Sequence, residues 1–173
     1  MKALQILLYV VVAYVLLSLE SPLLTSFHVR MYAPDPALAI VVHAACSVEF
    51  LPGVILCAFL GLLKDGFSAG VPVGTHVEIY VLVFLCCFAL TRRLDYRNVI
   101  LLTVVTFGAS LVSSFLFFVL SAIFDRDFEE FDLVFRLALP QALITSPMGP
   151  IVAGLLGFID RKLAGSEKDG VFR

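Results

Sequence analysis

An uncharged run of 26 residues, Val99 to Phe124, is the feature that most limits what this chain can fold into. A helix of that length rises about 39 Å, which exceeds the bilayer hydrocarbon core of about 30 Å. Two further uncharged runs, Ala3 to Leu19 (17 residues) and Leu137 to Ile159 (23 residues), also predict membrane spans. The last run is expected to be kinked or broken, because it carries three prolines: Pro140, Pro147 and Pro150.

The composition supports a membrane protein and excludes most soluble classes. Hydrophobic residues make up 61% of the 173 residues and charged residues only 15%, whereas soluble domains have about 25% charged residues. So few charges cannot cover a water-facing surface. Water-soluble enzymes and disordered regulators are therefore excluded, and the net charge of −2 gives no sign of a nucleic-acid partner.

Three shorter apolar segments lie in the middle of the chain. Pro36 to Val48 and Phe50 to Leu63 meet at a turn signal around Pro52-Gly53, and they form either two short spans or a re-entrant hairpin. Ile79 to Thr91 extends backward to Pro72 and then reaches about 20 residues, enough for a span. We therefore predict an all-α polytopic protein of about six transmembrane helices, with one transmembrane domain over 1–163 and a tail over 164–173.

Basic residues predict the orientation. An even number of segments puts both termini on one side, and eight of the 12 basic residues then share that side: Lys2, Arg92, Arg93, Arg97, Arg161, Lys162, Lys168 and Arg173. Because basic loops stay in the cytoplasm, we expect both termini to be cytoplasmic.

The densest motif is a glycine-rich segment, predicted to be a structural turn between two helices. Its candidate residues are Gly61, Asp65, Gly66, Gly70, Pro72 and Gly74. Glycine permits close backbone approach and positive φ, and proline suits the first turn of a helix. An acid at a helix C-terminus opposes the helix dipole, so Asp65 is expected to have a partner. That partner is Lys64, Arg30 or the free amides of the next helix.

Two further polar side chains are candidates for intramembrane roles. Glu78 is predicted in the second turn of the fourth helix, where a carboxylate is either structural or functional. His43 stands alone midway along the second helix. A hydrogen-bonded packing role is the simpler interpretation of both residues.

Hydroxyl residues mark one face of the Val99 to Phe124 helix. At 100° per residue they fall within an arc of about 100°, and they are Thr103, Thr106, Ser110, Ser113, Ser114 and Ser121. Small hydroxyl side chains let membrane helices approach closely. We predict that this face packs inside the bundle or against a partner helix; a hydroxyl-lined ligand cavity is the alternative.

No sequence motif indicates catalysis or a bound cofactor. The four cysteines, Cys46, Cys57, Cys86 and Cys87, form no Cys-x-x-Cys pair, and the three histidines lack recognisable triad partners. Phosphate-loop and metalloprotease motifs are missing as well. We therefore predict a non-enzymatic protein without a metal or cofactor.

Three segments together resemble the MreD family of rod shape-determining proteins. Pro34-Asp35-Pro36 opens a short apolar helix, Gly61 to Gly74 is similar to the family's Gly-x-x-x-Asp followed by a small-residue turn, and Ala142 to Leu163 is similar to its last helix. The length and six-span layout fit nearly the whole chain. Glu49 and Glu78 depart from the family pattern and take no family role.

The resemblance implies a component of the bacterial cell-elongation machinery in the inner membrane. Such proteins bind the bitopic protein MreC and act with the MreB filament, the RodA glycosyltransferase and its transpeptidase partner, within the lipid bilayer and without nucleic acid. It also implies a fold similar to the substrate-binding subunits of energy-coupling-factor transporters. A substrate-binding subunit for a vitamin-type molecule is therefore the alternative function.

Overall fold

The described part of the chain is entirely helical in its regular structure. The computed structural model describes residues 2–27, 34–67, 73–91, 98–124 and 131–170. Within them apolar runs form helices, because a helix satisfies its own backbone hydrogen bonds without water. The helices are α1 (Lys2–Phe27), α2 (Pro36–Ser47), α3 (Phe50–Phe67), α4 (Thr75–Thr91), α5 (Val99–Phe124), α6 (Phe131–Thr145) and α7 (Met148–Gly170). The prediction of an all-α chain is confirmed for these residues.

Three stretches in the described residues are long and apolar enough to cross a membrane. They are Phe50–Phe67, Val99–Ile123 and Ala138–Arg161, while Gln5–Leu19, Pro36–Ser47 and Thr75–Leu90 are apolar but shorter. Large apolar side chains are exposed along the long stretches, such as Ile100 on α5 and Ile151 on α7. Such exposure suits a lipid environment and is consistent with a helical membrane protein.

The short helix α2 lies at the centre of the bundle. It packs against α1, α3, α4, α5 and α7, and its side chains from Pro36 to Val42 are all buried. A helix that is apolar on every face is buried among other helices or in a membrane. With 12 residues it rises only about 18 Å.

Helices α3 and α4 form a closely packed antiparallel pair. A Cβ placed on Gly61 would overlap the backbone of His76 and Val77, and one placed on Gly53 would overlap the Phe84 ring. Glycine at these two positions therefore allows the helices to approach closely. The order of the facing residues runs in opposite directions along the two helices, which fixes the antiparallel register.

The predicted last span is broken into two helices. A turn at Ser146 and Pro147 separates α6 from α7, and the Gly149 amide donates to the Ser146 carbonyl across it. Proline cannot donate a backbone hydrogen bond, which favours the break at this point. The segment over 137–159, predicted as one kinked or broken span, therefore contributes to two of the seven described helices.

Several helix boundaries differ from the prediction. Helix α1 continues beyond Leu19 to Phe27, and α3 continues beyond Leu63 to Phe67. Helix α4 begins at Thr75 rather than at Pro72. The charged residues Glu20 and Lys64 marked the predicted ends of α1 and α3, but one charged residue does not by itself end a helix. The predicted tail boundary at 163 falls inside α7.

Candidate functional site

A buried carboxylate, Asp35, lies where α2 begins. Asp35 is the N-cap residue, its Oδ1 accepts a hydrogen bond from the Leu38 amide at 3.2 Å, and Pro36 occupies the first helical turn. Both residues are typical of a helix start, because the cap satisfies a free amide and proline needs none. Only 8% of Asp35 is exposed.

Side chains from three other helices converge on this cap. The Tyr80 hydroxyl of α4 lies 2.9 Å from each oxygen of the Asp35 carboxylate, and Nζ of Lys64 on α3 lies 3.5 Å from Oδ1. The Asp35 amide donates to Oγ1 of Thr145 on α6 at 3.2 Å. We call Asp35, Lys64, Tyr80 and Thr145 the Asp35 cluster. It joins α2, α3, α4 and α6 around one buried charge.

A second carboxylate, Asp65, caps the next helix. Its Oδ2 accepts from the Gly74 amide at 2.7 Å, and its Oδ1 accepts from the His76 amide at 3.1 Å. The His76 ring adds a contact of 2.7 Å from Nδ1 to Oδ1. Of the partners expected for Asp65, the structure therefore assigns the free amides of α4. Lys64 contacts Asp35 instead, and Arg30 lies outside the described residues.

The other residues of the predicted turn motif have different surroundings. Gly74 has a φ of +108°, in the region that side-chain-bearing residues avoid, whereas Gly61 lies inside α3 at its contact with α4. Gly66 also belongs to α3, and a Cβ there meets open space. Gly70 and Pro72 lie outside the described residues. The motif is thus a helix end, a cap and a turn, rather than a turn throughout.

His43 belongs to a third polar group, so the expectation that it stands alone is wrong. The Tyr9 hydroxyl of α1 donates to Oδ2 of Asp160 on α7 at 2.7 Å and lies 3.2 Å from Nε2 of His43. The Gln5 amide donates to Oδ1 of Asp160 at 3.0 Å. We call Gln5, Tyr9, His43 and Asp160 the Tyr9 cluster. It lies about 12 Å from the Asp35 cluster along α2.

The hydroxyl face of α5 points in part into the bundle. Thr106 and Ser110 are buried, and Thr106 lies directly against Gly149 of α7. The remaining members are half-buried: Thr103, Ser113, Ser114 and Ser121. The described hydroxyl hydrogen bonds stay within the helix, as from Thr106 to the Leu102 carbonyl at 2.8 Å. The small side chains of this face therefore allow α5 and α7 to approach closely.

A cavity of about 340 Å³ lies between α4 and α5. Its lining is apolar apart from two thiols and consists of Val83, Cys86, Cys87, Leu90, Leu101, Val104, Val105, Gly108, Ala109 and Val112. A Cβ placed on Gly108 meets no atom within 4 Å, so this glycine widens the cavity. The lining suits an apolar side chain or a hydrocarbon chain.

Glu78 lies apart from the three polar groups. It is exposed, and it belongs to the first turn of α4 rather than to the second, because that helix begins at Thr75. Its own amide donates to the Gly74 carbonyl at 3.1 Å. The carboxylate therefore lies near a helix N-terminus, where the dipole favours it.

Sequence reasoning missed most members of the polar clusters. Asp35 had a local signal, since Asp before Pro is typical of a helix start. Tyr80 follows His76 by one helical turn and so shares its face. Tyr9 and Asp160 carried no local signal of their pairing. Within the described residues, no group of three or more His, Cys, Asp or Glu could hold a metal ion.

Comparison with known proteins gives no relative for this chain: no family model, no curated protein and no solved structure matches it. The residues and contacts described above are therefore what indicates a function for this chain.

Proposed function

We propose that this chain is a non-enzymatic component of the bacterial cell-elongation machinery, of the MreD type. It is an inner-membrane protein with both termini in the cytoplasm, and it binds the single-span protein MreC. Through MreC it acts with the MreB filament, RodA and the transpeptidase partner of RodA. Its role is to hold partner helices in place, and it performs no chemistry itself.

The observation that carries this proposal is the geometry of Asp65. The segment from Gly61 to Gly74 is the most recognisable of the three segments that together resemble MreD, and three of its residues have a physical role. Gly61 brings α3 against α4, Asp65 caps α4, and Gly74 provides the positive φ between them. Residues with these three roles hold α3 and α4 together as a pair, which suits a scaffold protein.

The cavity between α4 and α5 is the docking face that we assign to the partner helix. The hydroxyl face of α5 is partly occupied by α7 through Thr106 and Gly149. The cavity is open at Gly108, and small residues in membrane helices allow another helix to approach closely. A large apolar side chain of the MreC helix would fill it.

These contacts give less support to the alternative function, a vitamin-binding transport subunit. Such a site needs several converging polar groups to orient a small molecule. Members of the Asp35 and Tyr9 clusters contact one another, and the described cavity has an apolar lining. These contacts favour the scaffold function over a transport subunit.

Co-purification with MreC from the same genome tests the proposal. We expect the wild-type chain to be recovered with tagged MreC in mild detergent. Gly108→Phe should lower that recovery at least about tenfold, the effect of losing about 1.4 kcal/mol of binding. Gly154→Phe is the matched control, because Gly154 is an exposed glycine of α7 with open space around its Cβ position.

The possible outcomes test the proposed function and the proposed docking face separately. No recovery of the wild-type chain contradicts the proposed function. Recovery that is equally high for Gly108→Phe retains the function but rejects the cavity as the docking face. Depletion of the protein in cells should in addition convert rods to spheres, and the wild-type gene should restore them.

A further inference from the structure

The carboxylate of Asp160 on α7 is bound by side chains of α1. The Tyr9 hydroxyl donates to Oδ2 at 2.7 Å, and the Gln5 amide donates to Oδ1 at 3.0 Å. Asp160 is half-buried, whereas Tyr9 is fully buried. Both oxygens of this carboxylate are therefore directed into the bundle, where hydrogen bonds compensate its charge.

The next residue, Arg161, is directed outward. It is exposed, and its Nε donates to the Gly157 carbonyl of the same helix at 3.1 Å. No carboxylate of the described residues contacts the guanidinium of Arg161. Because a guanidinium has five N–H donors and this contact uses one, the remaining donors are available to an acceptor outside the chain.

Arg161 lies at the end of a lipid-facing stretch. It is the last residue of Ala138–Arg161, which is long and apolar enough to cross a membrane. Ile151 and Phe158 precede it by ten and three residues, which places all three on one face of α7. Ile151 is 63% exposed and Phe158 53%. The guanidinium therefore lies at the edge of an apolar face, at the level of lipid headgroups.

The contact between Gln5 and Asp160 brings further basic residues to this end of the bundle. It places the start of α1, which contains Lys2, beside the part of α7 that contains Arg161 and Lys162. The acidic residues Glu167 and Asp169 follow on α7, about 9 and 12 Å beyond Arg161. That separation is close to the Debye length of about 10 Å, so their charges weaken the local positive charge only in part.

We propose that this end of α7 binds an anionic phospholipid, with the phosphate on the Arg161 guanidinium and an acyl chain along Ile151 and Phe158. The planar guanidinium matches the geometry of a phosphate. Asp160 does not compete for it, because both of its oxygens accept hydrogen bonds from α1. An adjoining apolar face favours a lipid over an acidic protein segment. This inference does not depend on the proposed function.

Titration of lipid into the detergent-purified chain tests the proposal. The thermal unfolding midpoint is followed by circular dichroism as phosphatidylglycerol or zwitterionic phosphatidylcholine is added, and each curve gives an apparent Kd. We expect phosphatidylglycerol to bind more tightly. Arg161→Gln should raise its apparent Kd about fivefold, the effect of one basic residue near an anionic surface, and should leave that of phosphatidylcholine unchanged. Arg161→Lys retains the charge and should lose less.

Two results would overturn the proposal. One is equal binding of the two lipids by the wild-type chain, and the other is an apparent Kd for phosphatidylglycerol that Arg161→Gln does not change. A salt titration of the wild-type chain applies the same test without a variant. The preference for phosphatidylglycerol should decrease between about 0.1 and 1 M salt, because salt screens exposed charges. A preference that salt does not change would also contradict binding at Arg161.

Discussion

The Tyr80 hydroxyl lies 2.9 Å from both carboxylate oxygens of Asp35, a residue 45 positions earlier in the chain. Tyr80 is fully buried and Asp35 nearly so. The pair connects α4 to the first turn of α2, and Lys64 adds a contact from α3. A buried carboxylate is tolerated only when hydrogen bonds or opposite charges compensate it, so these side chains fix how the three helices meet.

Removing the Tyr80 hydroxyl should destabilise the bundle. Tyr80→Phe leaves the Asp35 carboxylate with one donor fewer, and a hydrogen bond to a charged group is worth about 1.5–3 kcal/mol. We expect the free energy of unfolding in detergent to fall by that amount, as measured by denaturant titration. Tyr14→Phe, at an exposed position of α1, is the control and should change little. Equal stability of both variants would show that the contact contributes nothing.

Asp65→Asn should weaken the start of α4. Both carboxylate oxygens accept backbone amides, but asparagine offers one oxygen and presents an NH₂ group to the other amide. We expect a loss of about 1–3 kcal/mol, seen as a lower thermal midpoint in detergent. His76→Ala keeps both backbone bonds and should lose less. If Asp65→Asn matches the wild type, the charge is dispensable and the turn alone matters.

Two glycines of α3 should respond in opposite ways to the same substitution. Gly61→Ala puts a Cβ into the backbone of Val77 and forces α3 away from α4, which should cost about 1–3 kcal/mol. Gly66→Ala meets open space and should gain up to about 1 kcal/mol from helix propensity. Paired thermal unfolding curves measure both changes. Equal effects would contradict the close α3–α4 contact.

The contact between α5 and α7 should appear as coupling between two positions. Gly149→Ala puts a Cβ into the Thr106 side chain and should reduce the yield of folded protein. Thr106→Ala removes the nearest obstructing atom, Oγ1, together with Cγ2 but retains Cβ, so the double variant should recover part of that loss. A double-mutant cycle should give a coupling of about 0.5–3 kcal/mol. Simple additivity would mean that the two helices do not meet there.

The sequence by itself determined where the main helices lie. The 26 uncharged residues from Val99 to Phe124 became α5 with the same limits, and Pro34-Asp35-Pro36 marked the start of α2. The prolines of the last apolar run indicated a break, which lies at Ser146 and Pro147. These features are local, since helix hydrogen bonds join residues only four apart and caps act within one turn.

Only the tertiary structure decided which polar residues become partners. Asp65 was expected to have a partner, and the fold selected the amides of Gly74 and His76. Tyr9 meets His43 across 34 positions and Asp160 across 151. Such pairings depend on how helices are rotated and how they cross. Those quantities are set by side-chain packing over the whole bundle, so no spacing within a single helix encodes them.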